Sequence, residues 1–200
     1  MRKLIFWLLF IALLPSLLIS CGKDKDKDEE NKKNYWVEYA NWRKNNTEFF
    51  ESKYNEIDST GRLVYERVTP SWDAGSTILM RWYNDRSLTA DALSPYETSY
   101  VDVIYKGTTY QDTVFDSSYN NTAYGDSIYR SKLSNNIKGW VIAVMNMHVG
   151  DHCEVIIPYD CAYGDQMKSN IILPYSTLVF DVKLVGIPGL EKPVKGKNRK

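Results

Sequence analysis

One segment with the spacing of a helix lies among several segments that alternate apolar and polar residues, and this contrast most constrains the fold. Residues 137–145 place apolar side chains three and four positions apart, as a short helix does. In residues 178–184 every second residue is apolar, which indicates a strand with one buried face. Four further segments resemble strands: residues 63–68, 78–83, 101–105 and 153–157. We therefore predict an α+β domain in which an antiparallel sheet wraps around one short central helix.

The ends of these elements are predicted from residues that cap helices or interrupt strands. We expect Ser134 to cap the start of the central helix and Gly150 to stop it. Gly107 is expected to break the strand that begins at Val101. Turn-forming residues and a proline predict a loop over residues 87–96.

A second helix is predicted ahead of the sheet, over residues 35–60. Trp36, Phe50 and Tyr54 are among the apolar residues that recur there at helical spacing between charged ones. A Ser-Thr-Gly sequence at residues 59–61 is expected to end it. We expect this helix to pack on the domain; the alternative is that it faces a second copy of the chain.

Residues 1–20 have the composition of a secretory signal. Arg2 and Lys3 precede an apolar run over residues 4–19. This run is shorter than the stretch of about 20 apolar residues that a membrane-spanning helix needs. The run leads through Leu-Ile-Ser to Cys21, and this resembles the bacterial lipobox, in which the signal is cut before a cysteine that then carries diacylglycerol. The alternative is an ordinary secretory signal with a cysteine there by chance.

Charged segments flank the predicted domain. Residues 21–34 are mostly Lys, Asp and Glu, which predicts a solvated tether, and the basic residues 191–200 predict a disordered tail. The acidic run resembles the signal that sends some Gram-negative lipoproteins to the outer face of the outer membrane. The alternative is a spacer that carries no localisation signal. We expect a lipid-anchored protein of the cell envelope, in the outer membrane, on its periplasmic or its exposed side.

Composition and motifs argue against several classes of function. The chain has 25 Lys and Arg against 25 Asp and Glu residues, so its net charge gives no sign of the basic patch that nucleic-acid binding requires. The sequence contains no nucleophile elbow, Walker loop, dinucleotide fingerprint or paired-cysteine zinc motif, and we predict neither a cofactor nor a metal site. His148 and His152 have a spacing that suits neither a zinc pair nor a catalytic triad, and we expect both in a surface turn.

Cys153 and Cys161 are the cysteines that follow the predicted tether. Strand alternation points Cys153 inward, whereas Cys161 falls in the loop after the strand. An oxidising compartment permits a disulfide. We nevertheless predict buried thiols with no bond between them, because the strand separates them.

Six short motifs occur in a fixed order along the second half of the chain. They are VIYKG at 103–107, TVFDSS at 113–118, KGW at 138–140, VG at 149–150, IP at 157–158 with AYG at 162–164, and IILP at 171–174 before TLVFDV at 177–182. In this order they resemble the FKBP-type peptidyl-prolyl cis-trans isomerases, firmly over residues 97–187 and loosely over residues 63–96. The resemblance implies an isomerase domain over residues 61–190, with a strongly curved antiparallel sheet around one short helix.

The resemblance also implies a proline-binding pocket between the helix and the sheet, with Trp140 as its floor. The other residues that would contact substrate are Phe115, Ile137, Ile171, Ile172 and Phe180. Tyr105, Asp116 and Tyr163 would be the catalytic group, in which the Tyr163 hydroxyl holds the substrate carbonyl and Asp116 is an orienting carboxylate. Burial alone would penalise these three polar side chains, so a core role explains them poorly.

The chain departs from the family pattern on the walls of this pocket. Leu173 stands where the family often has a proline, and Asn135 and Asn136 replace a more hydrophobic or acidic pair. One aromatic wall position falls on either Tyr124 or Tyr129, and the sequence leaves both open.

These observations predict a lipoprotein that isomerises X-Pro bonds in exported proteins. Such a reaction breaks no bond, so a dry pocket that favours the twisted amide needs no nucleophile, metal or cofactor. The expected partners are proline-containing polypeptides, the membrane through Cys21, and macrolides such as rapamycin. The alternatives are a noncatalytic peptide-binding or chaperone module that uses the same groove, and a surface structural protein.

Replacing Cys21 tests the predicted lipid anchor. Cys21→Ala removes the thiol that would carry the lipid, so we expect the variant either to leave the membrane fraction or to keep its signal uncut. Mass spectrometry of the native protein is expected to find lipid on Cys21. An unmodified Cys21 thiol in that measurement would contradict the prediction.

Overall fold

The computed structural model describes residues 34–190. The predicted signal at residues 1–20, Cys21, the tether up to residue 33 and the tail at residues 191–200 lie outside the described residues. Within the described range, no helix is both long enough and apolar enough to cross a membrane.

An antiparallel sheet of seven strands forms the body of the domain. The strands are β1 Glu66–Val68, β2 Ile78–Trp82, β3 Tyr100–Thr109, β4 Val114–Ser117, β5 Tyr129–Lys132, β6 His152–Ile157 and β7 Leu178–Gly186. Their order across the sheet is β1-β2-β6-β7-β3-β4, and β5 pairs with the first half of β3. The helices are α1, Ala40–Tyr54, and α2, Lys138–Met145. The predicted α+β architecture, a curved antiparallel sheet around a short helix with an added N-terminal helix, is confirmed.

The main core lies between α2 and the inner face of the sheet. Every residue of α2 from 139 to 144 is buried. The apolar face of β7 enters the same core, as its alternating pattern predicts: Leu178, Phe180, Val182 and Leu184. Gly139 allows α2 to lie close to β6, because a Cβ at this position would overlap the Ile157 side chain. The position of α2, and of everything it carries, therefore depends on this close contact.

The two predicted ends of α2 are wrong. Ser134 lies in a separate 3-10 turn, Leu133–Asn135, and α2 begins after Ile137 without a side-chain cap. The helix ends at Met145, and the next residue, Asn146, caps it through hydrogen bonds from its backbone N–H to the carbonyls of Ala143 and Val144. Gly150 instead has φ +100° and makes the turn that leads into β6.

Gly107 does not break its strand, contrary to prediction. β3 continues to Thr109, with an irregular register after Gly107. Gly107 pairs with Asp116 on one side and Phe180 on the other, so its backbone keeps ladder partners. A glycine stands here because neighbouring aromatic rings leave no room for a side chain, and not because the strand ends.

The N-terminal helix packs on the outer face of the sheet, as predicted. Residues 34–38 are helical, and α1 follows after a turn at Tyr39. The helix ends earlier than predicted, because Ile57 pairs with Leu63 in an isolated antiparallel bridge. The apolar residues that pack together between α1 and the sheet are Phe49, Phe50, Tyr54, Tyr65, Leu79 and Ile156.

Cys153 and Cys161 are both buried free thiols in the main core, as predicted. Burial raises the pKa of each thiol above its usual value. The expectation of a surface turn fits His148 only in part, since this residue lies in the turn but is half-buried. For His152 the expectation is wrong: β6 begins there, and His152 Nε2 lies 2.7 Å from Asp181 Oδ1.

A methyl group at Gly139 tests the close contact between α2 and β6. We expect Gly139→Ala to lower the free energy of unfolding by about 1–2 kcal/mol, because overpacking against Ile157 outweighs the better helix propensity of alanine. Gly186→Ala is the matched control, since a Cβ there meets no atom within 4 Å. Urea unfolding of both variants measures the difference, and equal stabilities would contradict the contact.

Candidate active site

A cavity of about 270 Å³ opens between α2 and the inner face of the sheet. The residues that line it are Tyr105, Phe115, Asp116, Tyr129, Asn135, Asn136, Ile137, Trp140, Tyr163 and Phe180. They come from β3, β4, β5 and β7, from the start of α2 and from the loops beside them. Its volume lies just below the usual size of small-molecule pockets, which suits a ring-sized group.

Aromatic rings packed edge to face form the floor and one wall of the cavity. The Trp140 ring centroid lies 4.9 Å from that of Phe180 and 5.3 Å from that of Tyr105, with interplanar angles above 70°. Phe115 adds another edge-to-face contact with Phe180 at 5.5 Å. Such pairs hold each ring in a defined orientation. The floor and this wall therefore form an apolar surface with defined ring orientations.

Gly107 makes room for this aromatic wall. A Cβ on Gly107 would lie 2.5 Å from Phe115 Cζ and 2.9 Å from Phe180 Cε1. Both distances are shorter than packed carbon atoms allow. The glycine that sequence reasoning treated as a strand end is thus required by the rings above it.

Tyr105 and Asp116 form the polar side of the cavity. The Tyr105 hydroxyl donates to Asp116 Oδ2 at 2.5 Å, and the Ser117 backbone N–H donates to Asp116 Oδ1 at 2.8 Å. Burial, followed by the hydrogen bond to Asp116, raises the pKa of Tyr105 well above its usual value. The hydroxyl therefore remains a donor, and the carboxylate is fixed in place by two hydrogen bonds.

Tyr163 brings a second hydroxyl to the cavity. Burial, and then the negative charge of Asp116, raises the pKa of Tyr163. Among residues 34–190 this hydroxyl has no hydrogen-bond partner within bonding distance. It is therefore a protonated donor that remains available to a bound molecule.

The structure brings together most of the predicted site residues. Those that line the cavity are Tyr105, Phe115, Asp116, Ile137, Trp140, Tyr163 and Phe180. Ile171 and Ile172 are not among the lining residues. Ile172 is buried in the main core, and Ile171 lies half-exposed in the turn before it.

The structure also resolves the aromatic position that the sequence left open. Tyr129 lines the cavity, with its ring centroid 5.5 Å from that of Tyr105. Tyr124 lies outside it, beneath the Arg130 guanidinium at 4.4 Å. The pairing of β5 with β3 places Tyr129 opposite Val103, and no local motif in the sequence signals that pairing.

Asn135 and Asn136 add a polar wall to the cavity. The Asn136 Nδ2 donates to Ser131 Oγ, Lys132 O and Leu133 O at 3.0–3.2 Å. These bonds fix the amide group and hold the turn that precedes α2. The departure from the family pattern therefore places a polar group on the cavity at a defined position.

The arrangement suits binding of an apolar ring together with a hydrogen-bond acceptor. The aromatic rings supply the apolar surface, and the Tyr163 hydroxyl supplies the donor. No group of three or more His, Cys, Asp or Glu residues in the described part of the chain is placed to hold a metal ion.

Comparison with known proteins agrees with this geometry. Residues 92–185 match the model of the FKBP-type peptidyl-prolyl cis-trans isomerase family. The macrophage infectivity potentiator of Trypanosoma cruzi is 49% identical over 51 residues, which are 26% of this chain and 26% of that protein. FK506-binding protein 1A of Neurospora crassa is 39% identical over 56 residues, which are 28% of this chain and 47% of that protein. The chain thus aligns with less than half of either relative.

Solved structures show the same fold. A peptidyl-prolyl cis-trans isomerase from Pseudomonas syringae pv. tomato is similar with a TM-score of 0.58 at 22% identity. The similarity covers 74% of this chain and 95% of that one.

Proposed function

Given an FKBP-type peptidyl-prolyl cis-trans isomerase domain over residues 92–185, we propose that this chain catalyses cis–trans isomerisation of X-Pro bonds in exported polypeptides. One observation carries the proposal: the Tyr163 hydroxyl lies at the wall of the aromatic cavity above Trp140, and residues 34–190 offer it no hydrogen-bond partner. An apolar surface suits the proline ring, and a donor suits the carbonyl of the bond that rotates.

Rotation about the prolyl bond requires no covalent step from the protein. The barrier of about 18–20 kcal/mol arises because the twisted amide loses its resonance, and no covalent bond breaks. Water stabilises the planar amide, which has the larger dipole. Transfer into an apolar cavity removes that stabilisation, and binding the twisted amide better than the planar one lowers the barrier.

The polar side chains orient the substrate in this mechanism. Tyr163 donates its hydroxyl proton to the carbonyl oxygen and holds it while the rest of the amide rotates. Asp116 is held by the Tyr105 hydroxyl and by a backbone N–H, and it acts as a fixed electrostatic group. Neither residue transfers a proton, since the reaction requires none.

Binding without catalysis is the second candidate, and the polar wall favours it. Asn135 and Asn136 present amide groups to the cavity, and the Asn136 amide is fixed by its hydrogen bonds. A fixed polar wall can hold an extended peptide in one register without favouring the twisted amide. A chaperone or peptide-binding module would use the same cavity in this way.

Ligands and location complete the proposal. The Neurospora relative is named for FK506 binding, and the aromatic cavity supports competition between macrolides, such as FK506 or rapamycin, and the peptide. The lipobox-like sequence before Cys21 supports an anchor in the outer membrane, on its periplasmic or its exposed side. Exported proteins with X-Pro bonds would be the clients there.

Two variants that preserve shape test the residue roles. Tyr163→Phe removes one hydroxyl, and Asp116→Asn removes one charge while keeping an acceptor for Tyr105. We expect both variants to fold, and kcat/KM on a proline-containing peptide to fall about tenfold for at least one of them, because a lost hydrogen bond is worth about 0.5–1.5 kcal/mol. A protease-coupled isomerisation assay on the full chain measures this.

Tyr119→Phe is the matched control, because Tyr119 is exposed and lies outside the cavity lining. It should keep the wild-type kcat/KM. Wild-type activity in both test variants would reject the assigned roles. A wild-type chain that binds FK506 but shows no isomerisation above background would favour the binding module.

A further inference from the structure

Buried contacts join the N-terminal helix α1 to the loop that follows Tyr163. Residues 164–177, here named the rim loop, run from the pocket wall at Tyr163 to the start of β7. The end of this loop is fastened by side chains of α1 and of the helical turn before it. The outer face of the sheet, on which α1 packs, is thereby connected to Tyr163 at the cavity.

Asn46 makes the central contact. It is completely buried, although α1 is rich in polar and charged residues. Its Oδ1 accepts a hydrogen bond from the Thr177 backbone N–H at 2.8 Å, and its backbone oxygen accepts one from Thr177 Oγ1 at 3.2 Å. Its Nδ2 donates to the Trp42 carbonyl at 2.8 Å. Because Thr177 is also buried, its N–H would lose its partner if Asn46 were truncated.

The neighbouring residue of the loop is held in the same way. The Trp42 Nε1–H donates to Ser176 Oγ at 3.1 Å. Ser176 Oγ in turn donates to the Leu173 carbonyl at 2.7 Å. Consecutive residues of the rim loop are therefore each bound to α1.

Tyr175 shows that the loop is constrained rather than relaxed. Its φ of 64° is left-handed, a conformation that a residue with a Cβ adopts only when its surroundings enforce it. Its ring is buried edge to face against Trp36 at 5.6 Å and Tyr159 at 5.5 Å. The Arg43 guanidinium lies over the Trp36 ring at 3.1 Å and 5.3 Å from the Tyr175 ring.

The constrained residue is hydrogen-bonded to the residue that follows Tyr163 of the pocket wall. The Tyr175 backbone N–H donates to the Gly164 carbonyl at 2.8 Å. Gly164 follows Tyr163, whose hydroxyl faces the cavity in the proposed mechanism. A shift of Tyr175 would therefore move the backbone next to Tyr163.

We propose that α1 is a positioning element for the pocket and that Asn46 is its main positioning residue. Asn46 holds Thr177, and the ring contacts of Tyr175 hold Gly164, so together they fix the backbone that carries Tyr163. The inference rests on the proposed isomerase function, because it assigns α1 a role in placing the hydroxyl used there. Misplaced groups at a reacting centre lower the rate even when the group itself is present.

The test compares two adjacent asparagines of α1 in the full chain. Asn46→Ala deletes the acceptor of the Thr177 amide. Asn45→Ala is the control, since Asn45 is exposed and its side chain reaches only the Tyr110 hydroxyl, at 3.5 Å. At a temperature where both variants are folded by circular dichroism, we expect kcat/KM to fall about fivefold or more for Asn46→Ala and to stay unchanged for Asn45→Ala.

Equal kcat/KM for Asn46→Ala and Asn45→Ala would overturn the proposal, even if Asn46→Ala melts at a lower temperature. If Asn46→Ala does not fold, Trp42→Phe decides, because it keeps a ring beside Tyr110 and deletes the donor to Ser176. A loss of about twofold or more in kcat/KM supports the proposal, and wild-type activity overturns it.

An inactive wild-type chain would overturn the isomerase function instead. Hydrogen exchange then tests the positioning role on its own. Amides of residues 164–177 should exchange faster in Asn46→Ala than in Asn45→Ala, while the amides of β6 exchange equally in both. Equal exchange in the rim loop would overturn the positioning role.

Discussion

The packing of Trp140 between α2 and the sheet is the interaction on which the rest of the structure depends. Its ring is only 4% exposed, and it contacts Phe180 from β7 and Tyr105 from β3. The same ring forms the floor of the cavity. Stability and the shape of the cavity thus depend on one side chain, and truncating it would change both together.

Two glycines allow this arrangement. Gly139 brings α2 close to β6, and Gly107 leaves space for the rings of Phe115 and Phe180. Each is specified by a close approach of neighbouring atoms rather than by a turn. The cavity is rigid because the strands, the helix and the rings are all held at short distances.

Sequence reasoning predicted the elements whose own residues specify them. The alternation in β7 and the helical spacing in α2 follow from the periodicity of one segment, and the structure contains both. The helix ends were wrong, because neighbouring turns rather than a capping serine determine where α2 starts. Tyr129 could not be chosen over Tyr124, since only the pairing of β5 with β3 distinguishes them.

The sequence did not predict contacts between distant segments, for the same reason. Asn46 lies among polar residues of a surface helix, and nothing in its local sequence indicates that it is buried against Thr177. Ile171 and Ile172 were expected at the pocket, but the turn before β7 buries Ile172 in the core. Such positions depend on how the loops fold back, which periodicity does not describe.

Exchange spectroscopy by NMR tests the isomerase claim most directly. A short peptide with one X-Pro bond gives separate cis and trans signals, and uncatalysed exchange over tens to hundreds of seconds is too slow to connect them. Catalytic amounts of the full chain should produce cross-peaks between the two signals, and excess FK506 should abolish them. A folded chain that produces no cross-peaks would contradict the claim.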